Sequence, residues 1–303
     1  MALSEAERGR AVWNFPGGRM KKLTVCGLGL IGGSIALAAR KAKLAREVCG
    51  LVRRDESAIE AGKRGMVDFA TPDPGKAVAG ADMVVIAVTL GATARIAEQI
   101  RPHLPAKCIV TDAGSCKRLV IERARRALGR GARFVGAHPI AGSEQSGMGA
   151  ARADLFDGAP CIVTPVRGTD GAALGDVVAF WKALGARVSV MSPRGHDRVV
   201  AAISHLPHLL AASLVNASAG LIGEKTALGY AGSGFRDTTR VAAGGAGIWA
   251  EIAAENAVEI LRAVAALERQ LSSLKKALRG EDGEALRALL SRASALRRRF
   301  NRA

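Results

Sequence analysis

The chain has 303 residues, 49% of them hydrophobic, and carries a formal net charge of +17 at pH 7. This length is typical of one large domain or two ordinary ones, and the apolar content is sufficient for a buried core. No apolar stretch is expected to approach the roughly 20 residues that span a bilayer. The first residues also lack the apolar segment of a secretory signal. These features argue against a membrane or secreted protein and predict a cytoplasmic one.

The positive charge is concentrated in helical segments, such as "RARRALGRGAR" (123–133) and the tail "LRRRFNRA" (296–303). Neither segment has interleaved aromatic residues or belongs to a recognisable nucleic-acid-binding module. We therefore expect a solvated basic surface, with a field that attracts anionic small molecules as the next reading. We expect no nucleic-acid or membrane partner, with nucleic-acid binding as a minor alternative.

The cysteine pattern indicates a reducing compartment. The chain has five cysteines, an odd number, without a CxxC pair. Most of them lie in strand-like runs, so we expect buried free thiols. They are Cys26, Cys49, Cys108, Cys116 and Cys161.

Short β-branched runs alternate with amphipathic or Ala-rich segments over residues 21–192, which predicts βαβ units. The runs are "KLTVCG", "EVCGLV", "DMVVIAV", "KCIVTDAG", "ARFVGA", "APCIVTP" and "ARVSVMS". Residues 193–303 contain helical patterns only. The sequence therefore predicts an α/β, Rossmann-type domain with a mostly parallel sheet, followed by an all-helical substrate and dimerisation domain. Residues 1–20 are expected to form an N-terminal extension.

The segment "KLTVCGLGLIGGSIALAAR" joins a predicted strand, a GxGxxG run and a helix. Gly27 permits the tight turn, Gly29 allows a pyrophosphate to approach the backbone, and Gly32 permits close packing of helix and strand. The helix N-terminus, with Leu30 and Ile31 in its first turn, stabilises the negative charge. This context favours a dinucleotide site over a simple Gly-rich turn.

The end of the second predicted strand determines which dinucleotide is favoured. An acidic residue that would bind the ribose of NAD is expected there, but Val52 occupies the position and Arg53 and Arg54 follow. Two guanidinium groups suit a ribose 2′-phosphate, so we expect NADP, with NAD possible. The alternative is that both arginines are surface charges and that Asp55 binds the ribose.

Three later strands end at the edge of the sheet where a nicotinamide would lie. The first is followed by Val88 and Thr89, the second reaches Asp112 and then Ser115, and the third ends at His138. We expect these residues to line the cofactor and reaction site. Their convergence distinguishes His138 from a histidine in an ordinary turn.

Taken together, these residues resemble the prephenate/arogenate dehydrogenase family from about Lys21 to the last helices. The resemblance rests on "GLGLIGGS", "DAGSCK", "AHPIAGSEQSG", "SHLPH", "GFRDTTR" and "IWAEIAAEN", which occur in this order and spacing. It departs from the family pattern at Val52, where the acidic residue is missing.

The resemblance implies the oxidative decarboxylation of a cyclohexadienol acid, with hydride transfer to a nicotinamide. His138 matches the family's catalytic histidine, and a neutral imidazole suits the proton transfer. Ser115 matches the serine that orients the hydroxyl and the histidine. A helix N-cap is the alternative role for Ser115.

The resemblance also implies a site for a small dicarboxylate substrate. Arg240 would bind a carboxylate through its guanidinium fork. Arg236 and Asp237 would close the entrance and pair with Glu144, although a surface ion pair is an equally good reading of the first two.

The histidines of "SHLPH" are one helical turn apart. By resemblance His205 and His208 line the substrate pocket; each is otherwise a satisfied core histidine. No nearby cysteine or carboxylate cluster completes a metal site, so no metal is expected. His196 and His103 are assigned no role, and the apolar helical faces predict a homodimer.

These observations favour prephenate dehydrogenase, in tyrosine biosynthesis, with NADP preferred. Arogenate dehydrogenase is the alternative enzyme, since the two substrates differ only in an amine and a keto group. A nucleotide-binding regulator without turnover is the alternative outside catalysis. Loss of His138, Ser115 or Arg240 would indicate such a regulator, and all three residues are present. Another small-acid dehydrogenase would explain the architecture but not "HPIAGSE" together with "SHLPH".

Overall fold

The computed structural model describes residues 18–142 and 145–300. Its strands are β1 (Met20–Cys26), β2 (Ala45–Leu51), β3 (Phe69–Thr71), β4 (Met83–Ile86), β5 (Ile109–Asp112), β6 (Arg133–Pro139), β7 (Pro160–Thr164) and β8 (Arg187–Val190). They form one eight-stranded sheet in the order β3-β2-β1-β4-β5-β6-β7-β8. The pairs from β3 through β6 are parallel, β6 and β7 are antiparallel, and β7 and β8 are parallel.

This sheet confirms the predicted mostly parallel Rossmann-type architecture. The reversal of order at β1 places a ligand crevice at the carboxyl ends of β1 and β4. The strands are continuous apolar runs because helices cover both faces of the sheet. One buried cluster contains Leu23, Val25 and Val85, and the other contains Val84 and Ile86.

Helices alternate with the strands and then continue alone. They are α1 (Leu30–Lys41), α2 (Asp55–Lys63), α3 (Pro74–Val78), α4 (Leu90–Ile100), α5 (Arg118–Leu128), α6 (Gly171–Ala183), α7 (Pro193–Val200), α8 (Leu206–Ile222), α9 (Glu224–Tyr230), α10 (Ser233–Thr239), α11 (Ala246–Glu255), α12 (Ala257–Arg279) and α13 (Gly283–Phe300). A π-helical turn, Ala201–His205, joins α7 to α8, and a 3-10 turn, Arg240–Ala243, follows α10.

The expectation about apolar length is wrong. The continuous helical segment 193–222 is long and apolar enough to cross a membrane by length and composition, with a window of mean hydropathy 1.5. However, this segment carries the buried polar residues His196, Asp197, His205 and His208. These side chains contact other parts of the chain, although only 28% of the apolar window is buried inside the protein.

The helical part exposes much of its apolar surface. Leu221 is 85% exposed, Leu228 70% and Leu261 67%. Such a surface is typical of a protein–protein interface, because isolated soluble domains rarely expose large apolar patches.

All five cysteines are buried and free, as predicted. Most of the predicted extension, residues 1–17, lies outside the described residues. Its last residue, Met20, begins β1 and is fully buried.

Candidate active site

The Gly-rich turn joins β1 to α1 and leaves space for a ligand at one position. Gly27 has φ +89°, and a Cβ there would lie 2.7 Å from the carbonyl oxygen of Ala87. A Cβ on Gly32 would lie 1.8 Å from the carbonyl oxygen of Gly27. A Cβ on Gly29 would meet no atom within 4 Å. Thus Gly27 and Gly32 are required by the fold, whereas Gly29 faces an open cradle.

This cradle suits a dinucleotide pyrophosphate. Gly29 is the N-cap of α1, whose first turn has no side-chain cap and no acidic residue. The backbone N–H groups around Leu30 and Ile31 are therefore oriented for an anion at the helix N-terminus. Val88 lies beside the turn, since a Cβ on Gly27 would lie 2.8 Å from Val88 Cγ1.

The far end of this crevice is basic at the surface. Val52 is buried, and Arg53 and Arg54 are both exposed. Arg54 is the N-cap of α2, and Asp55 begins that helix and is also exposed. Both cations and the nearby carboxylate are thus accessible to a ribose or its phosphate.

The loop after β5 is held by a buried ion pair between Asp112 and Lys117, whose side chains are both fully buried. The remaining capacity of the Asp112 carboxylate is used by two backbone N–H donors, Gly114 at 2.9 Å and Ala137 at 3.2 Å. Three donors of the protein thus engage the Asp112 carboxylate, and its expected contact with the cofactor remains a prediction. The carboxylate fixes Ser115 on one side and His138 on the other.

His138 is the first member of a hydrogen-bonded chain that crosses between the two parts of the protein. Its Nδ1 lies 2.8 Å from His196 Nε2. His196 Nδ1 in turn lies 2.8 Å from Asp197 Oδ1. The carboxylate of Asp197 also accepts from the backbone N–H groups of Lys117 at 2.8 Å and Arg118 at 3.0 Å. Asp197 therefore caps α5, a role that the sequence alternative assigned to Ser115.

The direction of this chain fixes the protons on both histidines. The ionised carboxylate of Asp197 can only accept, so His196 donates from Nδ1 and its Nε2 is unprotonated. His138 must then donate from Nδ1, which leaves its own Nε2 without a proton. His138 thus has its basic nitrogen on the side of the ring opposite His196.

The electrostatics of the cluster keep these groups in their reactive forms. Burial and the neighbouring His196 and Lys117 lower the pKa of His138 well below its usual value. Burial also lowers the pKa of His196, although the hydrogen bond to Asp197 opposes this. Burial would raise the pKa of Asp197, but hydrogen bonds from His196 and two backbone N–H groups hold it below its usual value. The cluster therefore contains two neutral imidazoles and one carboxylate at neutral pH.

The histidines of "SHLPH" lie in the same region and are both buried. His208 stacks on Trp249, with ring centroids 3.5 Å apart and an interplanar angle of 13°. The rings of His205 and Trp249 form a T-shaped pair, with centroids 6.2 Å apart. Asn256 Nδ2 lies 3.2 Å from Nδ1 of His205. Trp249 therefore joins both histidines to α11.

Helix α11 also contacts the nucleotide-binding part of the chain. Gly91, at the start of α4, donates its N–H to Glu251 Oε2 at 3.4 Å. Arg123 of α5 forms an ion pair with Glu255. Thr89, the N-cap of α4, is exposed at the same end of the sheet.

The residues predicted to bind the substrate carboxylates lie on α10 and the turn after it. Arg236 and Asp237 are exposed, and Arg236 Nε donates to the carbonyl of Ala231 at 3.0 Å. Arg240 begins the 3-10 turn and is exposed. Glu144 lies outside the described residues, so its predicted pairing remains a prediction.

Within the described ranges 18–142 and 145–300, no group of three or more His, Cys, Asp or Glu side chains could hold a metal ion.

Sequence reasoning missed the residues that orient His138. The sequence assigned no role to His196 and did not predict its hydrogen bond with Asp197, whose carboxylate also accepts from the N–H of Lys117. One signal was available, namely a His-Asp pair in the first turns of a strongly apolar helix that directly follows the last strand.

The fold and this cluster define the class of protein. A Rossmann-type sheet with an open glycine cradle and a neutral histidine at the carboxyl edge, joined to a helical domain, is the architecture of a nicotinamide-dependent dehydrogenase.

Comparison with known proteins identifies the family. Residues 35–190 match the model of the prephenate dehydrogenase nucleotide-binding domain, and residues 192–292 match that of the prephenate dehydrogenase dimerization domain. The chain belongs to the prephenate dehydrogenase family.

Curated relatives agree with this assignment. The chain is 35% identical over 268 residues to a prephenate dehydrogenase of Bacillus subtilis, covering 87% of this chain and 72% of that protein. It is 34% identical over 271 residues to a cyclohexadienyl dehydrogenase of Zymomonas mobilis, covering 88% and 91%.

Solved structures give the same result. A prephenate dehydrogenase of A. aeolicus, in complex with hydroxyphenyl propionate and NAD+, has a TM-score of 0.87 and 31% identity, covering 93% of this chain and 98% of that one. An arogenate dehydrogenase of Synechocystis has a TM-score of 0.81 and 31% identity, covering 92% and 99%.

Proposed function

We propose that this chain catalyses the oxidative decarboxylation of prephenate to 4-hydroxyphenylpyruvate, with His138 as the general base. The observation that carries the proposal is the chain His138–His196–Asp197. It leaves an unprotonated nitrogen on His138 at the carboxyl edge of the sheet. Family membership supports the choice of reaction.

The reaction requires one proton acceptor from the protein. His138 Nε2 accepts the proton of the ring hydroxyl while hydride leaves the carbon that bears it. The ring carboxylate departs as CO2, because the electron pair of the broken C–C bond makes the ring aromatic. The resulting phenolate oxygen takes the proton back from His138. A bound nicotinamide supplies the hydride acceptor. Proton transfer to a positioned base typically contributes about 10²- to 10⁴-fold in rate.

His196 and Asp197 hold the base in its competent form. With the proton on Nδ1 fixed by His196, the lone pair of Nε2 is available whenever the ring is neutral. The lowered pKa of His138 keeps it neutral well into the acidic range. Ser115, on the loop held by Asp112 and Lys117, orients the hydroxyl, and Arg240 binds a substrate carboxylate.

A histidine replacement tests the base directly. His138→Asn should lower kcat by about two to four powers of ten with little effect on cofactor affinity. His103→Asn, at an exposed histidine in a surface turn, is the matched control and should leave kcat unchanged. Near-normal turnover of His138→Asn would show that another group is the base.

Arogenate is the alternative substrate, and the similar solved structures, one named a prephenate dehydrogenase and the other an arogenate dehydrogenase, support testing it. The pure protein should be assayed with prephenate and arogenate, each paired with NAD and NADP. A higher kcat/KM for prephenate is expected. The reverse preference would assign the chain to arogenate dehydrogenase, and binding of cofactor without turnover of either substrate would indicate a regulator.

We also propose that NADP is the preferred cofactor, because Val52 replaces the expected carboxylate and Arg53 and Arg54 are exposed beside it. Arg53→Ala or Arg54→Ala should each weaken NADP binding by about tenfold to a hundredfold, the cost of one hydrogen bond to a charged group, and change NAD binding little. Arg46→Ala, at an exposed arginine of β2, is the control. A clear NAD preference of the wild type would refute the proposal.

The assembly is proposed to be a homodimer formed through the helical domain. The exposed apolar side chains of α8 and α12 and the match to a dimerization domain support this. We place the enzyme in the cytoplasm, in tyrosine biosynthesis, as suits five free buried cysteines and a soluble metabolite as substrate.

A further inference from the structure

Another buried histidine, His205, lies near the cluster of His138, His196 and Asp197. The position of its proton is fixed by a different residue, Asn256. The side-chain nitrogen Nδ2 of Asn256 lies 2.8 Å from the carbonyl oxygen of Asp197 and 3.2 Å from Nδ1 of His205. Both side chains are almost completely buried, with 4% of Asn256 and 1% of His205 exposed.

These two contacts determine the orientation of the Asn256 amide. A backbone carbonyl oxygen can only accept a hydrogen bond, so the amide atom that faces Asp197 must be the NH2 group. One hydrogen of this group is donated to the carbonyl. The other is directed to His205, whose Nδ1 must then be an acceptor without a proton.

His205 is therefore the Nε2–H tautomer when it is neutral. It is neutral at physiological pH, because burial lowers the pKa of His205 to about 4. The result is opposite to that for His138, which carries its proton on Nδ1. Two neighbouring imidazoles thus have opposite hydrogen-bonding polarity: one accepts at Nε2 and the other donates there.

Asn256 is held too firmly to adapt to a change at His205. It lies between α11 and α12, where its backbone N–H donates to the carbonyl of Ile252 and its carbonyl accepts from Ile260, both at 3.0 Å. The imidazole of His205 is confined against the edge of Trp249. Burial of both side chains restrains them in these roles.

We propose that Asn256 is a positioning residue that holds His205 as a hydrogen-bond donor to a carboxylate or keto oxygen of the substrate, opposite in polarity to the base His138. The substrate part of this inference rests on the proposed function. Prephenate carries both kinds of oxygen and one hydroxyl, so it requires both donors and an acceptor.

The tautomers can be measured without any activity assay. In ¹⁵N-histidine-labelled protein, long-range proton–nitrogen correlation separates protonated from unprotonated ring nitrogens. Between about pH 6 and about pH 8, His205 should show the Nε2–H pattern without titrating, and His138 the Nδ1–H pattern. An Nδ1–H pattern for His205, or a titration near the ordinary histidine pKa, would overturn the proposal.

Replacing the amide by a carboxylate should reverse the polarity. Asn256→Asp presents an acceptor to His205 Nδ1, so the neutral His205 should change to the Nδ1–H form, which no longer donates at Nε2. The KM for prephenate should rise about tenfold to a hundredfold, the cost of one lost hydrogen bond to a charged group. Gln99→Glu makes the same chemical change at an exposed position of α4 and should alter neither the His205 tautomer nor the KM for prephenate. An unchanged tautomer in Asn256→Asp would refute the role of Asn256.

Two replacements of His205 keep the proposal testable if Asn256→Asp does not fold. The amide nitrogen of His205→Gln can reach the position of Nε2 and donate, whereas that of His205→Asn cannot. The Gln variant should keep KM within about threefold, and the Asn variant should raise it about tenfold to a hundredfold with a smaller effect on kcat. Equal KM values would refute the donor role. Expected tautomers in a wild type without turnover would refute the proposed function and retain the positioning role of Asn256.

Discussion

Replacing Asp197 by Asn would test whether a residue that is remote from the substrate controls the base. In the wild type, the carboxylate accepts from His196 Nδ1 and from two backbone N–H groups of α5. An amide can present its NH2 group to His196, which would then accept at Nδ1 and carry its proton on Nε2. His138 would be forced to accept at Nδ1, and its proton would move to Nε2. The nitrogen needed for proton transfer would be blocked.

The structure sets two separate magnitudes for Asp197→Asn. Loss of the base should lower kcat by about two to four powers of ten, which corresponds to about 3 to 5 kcal/mol. His196 and the N–H of Lys117 share Oδ1 of Asp197, whereas the N–H of Arg118 bonds Oδ2. With the NH2 group facing His196, the amide oxygen can still accept from Arg118, but the N–H of Lys117 loses its acceptor. The free energy of unfolding should therefore fall by about 3 to 6 kcal/mol, the value of two hydrogen bonds to a charged group.

The assay is steady-state formation of the reduced cofactor, measured together with denaturant unfolding. Asp170→Asn is a matched control, because Asp170, like Asp197, accepts from one side chain and two backbone N–H groups. These are Arg133 at 2.6 Å, Ala172 at 2.8 Å and Ala173 at 3.3 Å. Its replacement should lower stability with kcat unchanged. A kcat within about threefold of wild type for Asp197→Asn would refute the proton assignment.

Three further predictions concern stability, the cradle and the dimer. In the folded protein the pKa of His205 is about 4, whereas an unfolded histidine has a pKa near 6.5, so below pH 6.5 the unfolded chain binds more protons than the folded chain. The contribution of His205 to the free energy of unfolding should therefore fall by about 2 kcal/mol from pH 7 to pH 5. His205→Gln removes this contribution and should flatten the pH dependence of Tm. Gly29→Ala should fold normally and bind cofactor weakly in a direct titration, whereas Gly32→Ala should lower Tm, because its Cβ would lie 1.8 Å from the Gly27 carbonyl oxygen. Leu261→Glu, at a side chain 67% exposed on α12, should shift the sedimentation equilibrium toward monomer; an unchanged dimer would place the interface elsewhere.

The parallel part of the sheet was predictable because each buried strand is a continuous apolar run followed by a helical pattern. Strand β3 was not predicted, since its three residues are too few to establish a period. The reversal of β7 was also missed. Between β6 and β7 the described residues contain only a short 3-10 turn, Met148–Ala150, so no helical crossover requires these strands to be parallel.

The position of His138 followed from the rule that parallel strands present their carboxyl ends at one edge. The rule did not predict its hydrogen-bond partner, His196. This residue is 58 positions further along the chain and meets His138 only through the packing of α7 against β6 and α5. Asn256 is equally distant from its acceptor, 59 residues after Asp197. No local pattern encodes such contacts. The buried position of Asp112 was hidden for a similar reason, since Lys117 satisfies it from the following loop.

The bonds from Asp197 to the start of α5 and from His196 to β6 also restrict how the enzyme can open. If the helical domain swung away as a rigid body during turnover, the imidazole at 138 would lose its orientation and α5 would lose its cap in the same movement. Rigid-body separation of these two domains is therefore incompatible with an oriented base. An inhibitor designed to wedge the domains apart would act by disorganising the base and would not need to compete for the substrate pocket.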